Sequence, residues 1–120
     1  MTVDWQDLLA TASLLRRAGR IEEAIAAYER LLVVNPELPD SWYNLAWLQR
    51  KARRFDDALL SYQQALDRNV ACAEEVHLNR AVIYSDHLHR PQEAVRELEA
   101  ALEKKPDYVP ALLNLGNLCE

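Results

Sequence analysis

Apolar residues return every three to four positions along most of the chain, with polar residues between them, the pattern of amphipathic helices. The stretches near residues 4–17, 39–52, 73–86 and 108–119 read as first helices of successive pairs. Those near 21–34, 55–69 and 91–104 read as second helices. The turns between them are short, so neighbouring helices must run antiparallel. Gly19 stands where a first helix ends, matching the need for a left-handed backbone there. Asn35-Pro36 and Lys105-Pro106 end second helices, because proline disfavours helical geometry in the residue before it. The predicted fold class is all-α, with seven helices.

A fixed period organises these helices. Ala24 and Ala58, Tyr28 and Tyr62, Leu32 and Leu66, and Asn35 and Asn69 are each 34 residues apart. Ala94, Leu98, Ala101 and Leu102 repeat the register, and Pro106 answers Pro36. Asn44-Leu45-Ala46, Asn79-Arg80-Ala81 and Asn114-Leu115-Gly116 recur at intervals of 35. The step from Ala58 to Ala94 is 36, which requires two inserted residues. One is expected near Val70 to Cys72 and the other in the loop around His87 to Arg90. The repeats then span about 5–38, 39–72 and 73–107, with a last helix at 108–120, all in a single domain of residues 1–120.

Charge follows the same boundaries. Arg16, Arg17, Arg50 and Lys51 fall in last turns of first helices, while Glu22, Glu23, Asp56, Asp57 and Glu93 fall in first turns of second helices, complementing the helix dipoles. Those interleaved carboxylates weigh against an anion site along the turn edge. The net charge of −5 disfavours nucleic acid and anionic membranes, which need clustered basic surfaces. No apolar run approaches the roughly 18 residues of a membrane span, and no secretory signal precedes the first helix. Cys72 and Cys119 form no CxxC pair, so a reducing, cytoplasmic setting is expected.

Composition agrees with helices. Leu occurs 20 times and Ala 17 times, against 13 for Val, Ile and Thr together and two for Gly. Gly19 and Gly116 alone cannot build a phosphate loop. His87 and His89 beside Glu93 complete no tetrahedral metal site. His77 reads as a surface or boundary histidine, and Cys72 and Cys119 as small hydrophobes. No cofactor, metal or catalytic constellation is expected, and the chain is not read as an enzyme.

The repeat resembles the tetratricopeptide repeat (TPR) family, over about three and a half units. Trp42, Leu45, Ala46, Ala58, Tyr62 and Ala65 carry the likeness in repeat 2. Ala12, Gly19, Ala24, Tyr28 and Pro36 carry it in repeat 1, and Ala81, Tyr84, Ala94, Ala101 and Pro106 in repeat 3. Thr11, Arg80 and Val70 depart from the pattern. The resemblance implies a right-handed superhelical stack of helix pairs, an α-solenoid. In it Ala12, Ala46, Ala81 and Gly116 would allow close approach of helices.

It also implies a protein-interaction scaffold that binds a peptide or partner protein in a concave groove of first helices. The family's groove positions fall on Leu9 and Ser13, on Tyr43, Asn44, Trp47 and Lys51, on Leu78, Asn79 and Val82, and on Leu113, Asn114 and Asn117. The amides of Asn44, Asn79 and Asn114 would either pair with a ligand backbone or cap and orient neighbouring helices. Tyr43 and Trp47 would either be exposed anchors or be buried by a neighbouring helix. A TPR subclass that clamps acidic chaperone tails keeps Lys, Asn and Lys where this chain has Leu9, Ser13 and Glu75. With Asp40 also near the groove, a neutral or basic ligand is expected.

Two other readings stand beside the scaffold. The stretch from His77 to Asp86 is similar to repeats preceding sulfotransferase domains in some bacterial proteins, which would make the chain the N-terminal arm of a larger enzyme. Leu112, Leu113, Leu115, Leu118 and Cys119 are too many apolar residues for one buried stripe. The chain would then be a fragment of a longer repeat protein, or a homodimer joined through its last helix.

Overall fold

A computed structural model describes residues 4–118. The helices are α1 (Trp5–Arg17), α2 (Ile21–Val34), α3 (Pro39–Lys51), α4 (Phe55–Asp67), α5 (Ala73–Val82), α6 (Pro91–Lys104) and α7 (Val109–Leu118). Among the described residues there is no strand. The chain divides into two compact units, Met1–Val70 with α1 to α4 and Ala71–Glu120 with α5 to α7.

Local chemistry sets the helix ends in the first unit. The Asp4 carboxylate accepts the Gln6 amide hydrogen at 2.9 Å, capping α1. Pro39 opens α3, where a missing amide hydrogen costs nothing. The expected acidic first turns and basic last turns are present. After α1 the backbone turns left-handed at Gly19 (φ 75°), and after α3 at Arg53 (φ 64°). The amides of Arg20 and Arg54 then reach back to the carbonyls of Leu15 (3.0 Å) and Gln49 (2.8 Å), closing both helices in the same way. The end of α4 differs. Where α2 stops on an extended Asn35 before proline, α4 stops on a left-handed Asn69 (φ 58°), and the Val70 amide bonds to the Ala65 carbonyl at 3.1 Å. Asparagine tolerates this conformation, so the missing terminal proline is replaced by a left-handed cap.

Small residues bring these helices together. Ala12, Ala24, Ala46 and Ala58 are fully buried, and Tyr28, Ile25, Leu31 and Leu48 fill the space they leave. A side-chain bond from Arg16 Nε to the Tyr28 hydroxyl (3.2 Å) ties α1 to α2. A buried bond from the Ser61 hydroxyl to Gln49 Oε1 (2.6 Å) ties α3 to α4.

In the second unit α5 does not continue as an α-helix to residue 86. It passes into a π-helical turn over Ile83–His87. This corrects the placement of the insertion expected around His87 to Arg90. His89, left-handed at φ 53°, stands two residues before the next helix, as Gly19 and Arg53 do, so the connecting turn keeps its length. The additional residue sits in the helix, where widening one turn absorbs it. The Leu88 amide accordingly bonds to the Ile83 carbonyl (3.0 Å), and Arg90 reaches six residues back to Tyr84 (2.8 Å). Ala81, Ala94, Leu98, Ala101 and Ala111 form this unit's core, with Leu115 and Leu118 of α7 packed on it. Gly116 is not a close-approach position: it is exposed, and a Cβ there would meet nothing within 4 Å. α7 packs on α6 through Ala111, Leu115 and Leu118, and Gly116 lies off that contact. Cys119 lies outside the described residues.

Candidate functional site

Tyr43, Trp47 and Lys51 share one stripe of α3, each one turn from the next. Asn44 lies beside them. Tyr43 is half-buried, its ring edge-on to Tyr62 with centroids 5.8 Å apart. Trp47 is also half-buried, packed against the first unit's core, and the Lys51 ammonium stands 5.1 Å over its ring, a cation–π contact. The two aromatics are therefore partly core and partly surface, rather than the fully exposed anchors the spacing allowed. The Asn44 amide makes no hydrogen bond to another described residue. On α1, Leu9 and Ser13 are half-buried, with Leu9 against the same core.

The second unit places its candidates differently. Leu78 packs on the core, and Asn79 and Val82 are half-buried. On α7, Leu113 is 63% exposed and Asn117 is exposed. Asn114 donates from Nδ2 to the Pro110 carbonyl of its own helix at 2.8 Å. The three asparagines thus share a register but not a role, and Asn114 follows the reading in which the amide serves its own helix.

His77 is more than a boundary residue. Its Nδ1 lies 2.7 Å from Glu97 Oε2, and Arg80 Nε donates to Glu97 Oε1 at 2.9 Å, joining α5 to α6. Side-chain exposures are 15% for His77, 12% for Arg80 and 14% for Glu97. Burial opposes the Glu97 charge, but the His77 hydrogen bond and the Arg80 guanidinium outweigh it and hold the carboxyl below its usual range. The sequence signal was Arg80 itself, a cation at a position where the repeat pattern wants leucine. At the start of α5, burial and then the Glu75 charge push the Cys72 thiol upward, which lowers its thiolate fraction. Glu93 is engaged by Arg90 Nε at 3.2 Å. Among the described residues no group of three or more His, Cys, Asp or Glu could hold a metal ion, and no helix is long and apolar enough to cross a membrane.

A concavity of about 310 Å³ opens elsewhere in the first unit, among α2, α3 and α4. Trp42, Leu45 and Gln49 line it from α3. That stripe lies about 165° around the helix from Tyr43, Trp47 and Lys51, at 100° per residue. The sequence hint was Val33 and Leu60, apolar residues that belong to no buried stripe and are 85% and 66% exposed.

Comparison with known proteins gives a consistent picture. The human Superkiller complex protein 3 is 29% identical over 100 residues, which span 83% of this chain and only 6% of that protein. The crystal structure of MamA superposes with a TM-score of 0.86 at 17% identity, covering 96% of this chain and 66% of the other. The first TPR of Spaghetti (RPAP3), bound to the HSP90 peptide SRMEEVD, superposes with a TM-score of 0.82 at 22% identity, covering 98% and 94%. The tetratricopeptide repeat family model matches residues 9–75 and 43–84, which hold Ala12, Gly19, Ala24, Trp42, Ala46, Ala58 and Tyr62 with their fixed spacing, and the chain belongs to that family.

Proposed function

We propose that this chain is a non-catalytic interaction module that holds a peptide or partner segment on the α3 stripe of Tyr43, Asn44, Trp47 and Lys51, flanked by Leu9 and Ser13 of α1. The carrying observation is the combination on one stripe of a half-exposed indole, an ammonium over it and an amide with no bond to another described residue. The ring supplies apolar area, and the Asn44 amide supplies one acceptor and two donors to a backbone. Spaghetti, a structural relative, holds a peptide, which supports the class of function. The ligand differs in charge: Asp40 is exposed, and Leu9 and Ser13 replace residues that clamp acidic tails, favouring a neutral or basic segment. The corresponding surface of the second unit consists of Leu78, Asn79, Val82, Leu113, Asn114 and Asn117.

The test is selection of ten-residue peptides from an unbiased display library, followed by titration against variants. Asn44→Ala and Lys51→Glu, both outside the core, should weaken the enriched peptides roughly tenfold with unchanged circular dichroism. Equal binding by both variants overturns the assignment.

A second reading has its own observation. Val109, Leu112 and Leu113 of α7 are 57%, 48% and 63% exposed, an apolar surface suited to a second copy of the chain. Sedimentation should then show a dimer that Leu112→Asp with Leu113→Asp dissociates. A monomer at high concentration rejects it.

A further inference from the structure

We infer that the concavity among α2, α3 and α4 is a second docking site, for a protein segment that carries a large apolar side chain between basic residues. It is independent of the α3 stripe proposed above and lies on the opposite side of that helix. Its apolar wall includes Leu32, Trp42 and Leu45. Trp42 is fixed there, because its indole donates to the Pro36 carbonyl at 2.8 Å and the Arg68 guanidinium stands 5.4 Å over its ring. The Ser61 hydroxyl donates to Gln49 Oε1 at 2.6 Å, and the Gln49 amide nitrogen, with no bond to another described residue, can donate to a carbonyl of the bound segment. The volume, about 310 Å³, is at the small end of ligand pockets, about 300–1,000 Å³. It suits one large side chain.

The rim says what flanks that side chain. α2 presents Glu29 with Val33 one turn on, and α4 presents Asp57 with Leu60 one turn on. Each helix therefore offers a carboxylate and an exposed apolar group beside the opening. Glu29 and Asp57 are exposed and form no ion pair with a described residue, and no cation lines the concavity. Apolar shoulders on two helices extend the surface beyond the cavity, which fits a chain segment better than a small molecule. Paired carboxylates select cations on either side of the anchor.

The probe is the blocked peptide Ac-Ala-Arg-Phe-Arg-Ala-NH2, compared with its counterpart carrying Glu for both Arg, in ¹⁵N–¹H NMR titrations of the full chain. The indole N–H signals of Trp42 and Trp47 report the two faces separately. The Arg peptide should shift Trp42 and the amides around Val33 and Leu60, leave Trp47 in place, and bind more tightly than the Glu peptide. Glu29→Gln with Asp57→Asn should weaken it roughly fivefold. Leu60→Arg should abolish binding with an unchanged melting curve, since that side chain is 66% exposed. Shifts at Trp47 instead, no shift at Trp42, or equal binding of the Glu peptide would each overturn the site, and the last two leave the reading at Asn44 and Lys51 untouched.

Discussion

The α3–α4 and α5–α6 pairs use the same register for opposite chemistry. Trp42, Leu45 and Ser61 stand in the first unit where His77, Arg80 and Glu97 stand in the second. The first set leaves an apolar concavity over one neutral hydrogen bond. The second closes the pair with three ionisable groups, each less than one-sixth exposed. Buried charge is costly to desolvate, and well-packed apolar residues often replace it without loss. The repeat's backbone is thus indifferent to what joins its two helices, provided Ala46 and Ala58, or Ala81 and Ala94, keep them close.

The largest expected effect breaks the charged version. Removing the carboxylate with Glu97→Ala leaves Arg80 and His77 facing each other and should cost about 3 kcal/mol, read from urea unfolding. Exchanging all three residues for those of the first unit, His77→Trp, Arg80→Leu and Glu97→Ser, should recover most of that loss. If the triple exchange is no better than Glu97→Ala, the two sets are not interchangeable.

Acid should reproduce part of the same loss. Glu97 is held below the ordinary glutamate value, about 4.3, so its contribution is fully present above that value and disappears as pH falls through the lower folded-state value. Thermal melts from pH 7 downward should show wild type losing stability faster than Glu97→Gln in that window. Parallel curves would mean that the carboxylate does not carry the tie.

On the neutral side, Ser61→Ala takes the donor from Gln49 and should cost about 1 kcal/mol, less than any single break in the charged set. The smallest effects lie at the left-handed turns. His89 is exposed, so His89→Gly should gain roughly 0.5–1 kcal/mol. Gly19→Ala should lose a similar amount, roughly 1 kcal/mol, through backbone conformation alone, because nothing lies within 4 Å of its new methyl group.

Most of the architecture was legible because it rests on short-range rules. The boundaries at Gly19, Pro36 and Pro106 follow from which residues tolerate which backbone angles. The buried alanines follow from period. What the pattern could not give was the location of an added residue, since a loop and a widened helical turn satisfy the same spacing between Ala81 and Ala94. The candidate surface was legible as a register and not as contacts. Spacing put Asn44 and Asn114 on equivalent positions, yet the Pro110 carbonyl accepts from the Asn114 amide and no described residue bonds the Asn44 amide. Likewise Trp47 is half-buried because its ring packs against the first unit's core, a packing outcome no single-helix pattern contains.

The π turn at Ile83–His87 bears on how such a chain can change length. An ordinary one-residue insertion in a helix rotates everything after it by about 100°, which would carry Ala94 away from Ala81. Here both remain buried, so the widened turn acts as a phase corrector: it takes up the rotation locally and hands the next helix an unchanged orientation. Copies of a repeat can therefore drift in length between their anchoring alanines without losing the pairing those alanines make.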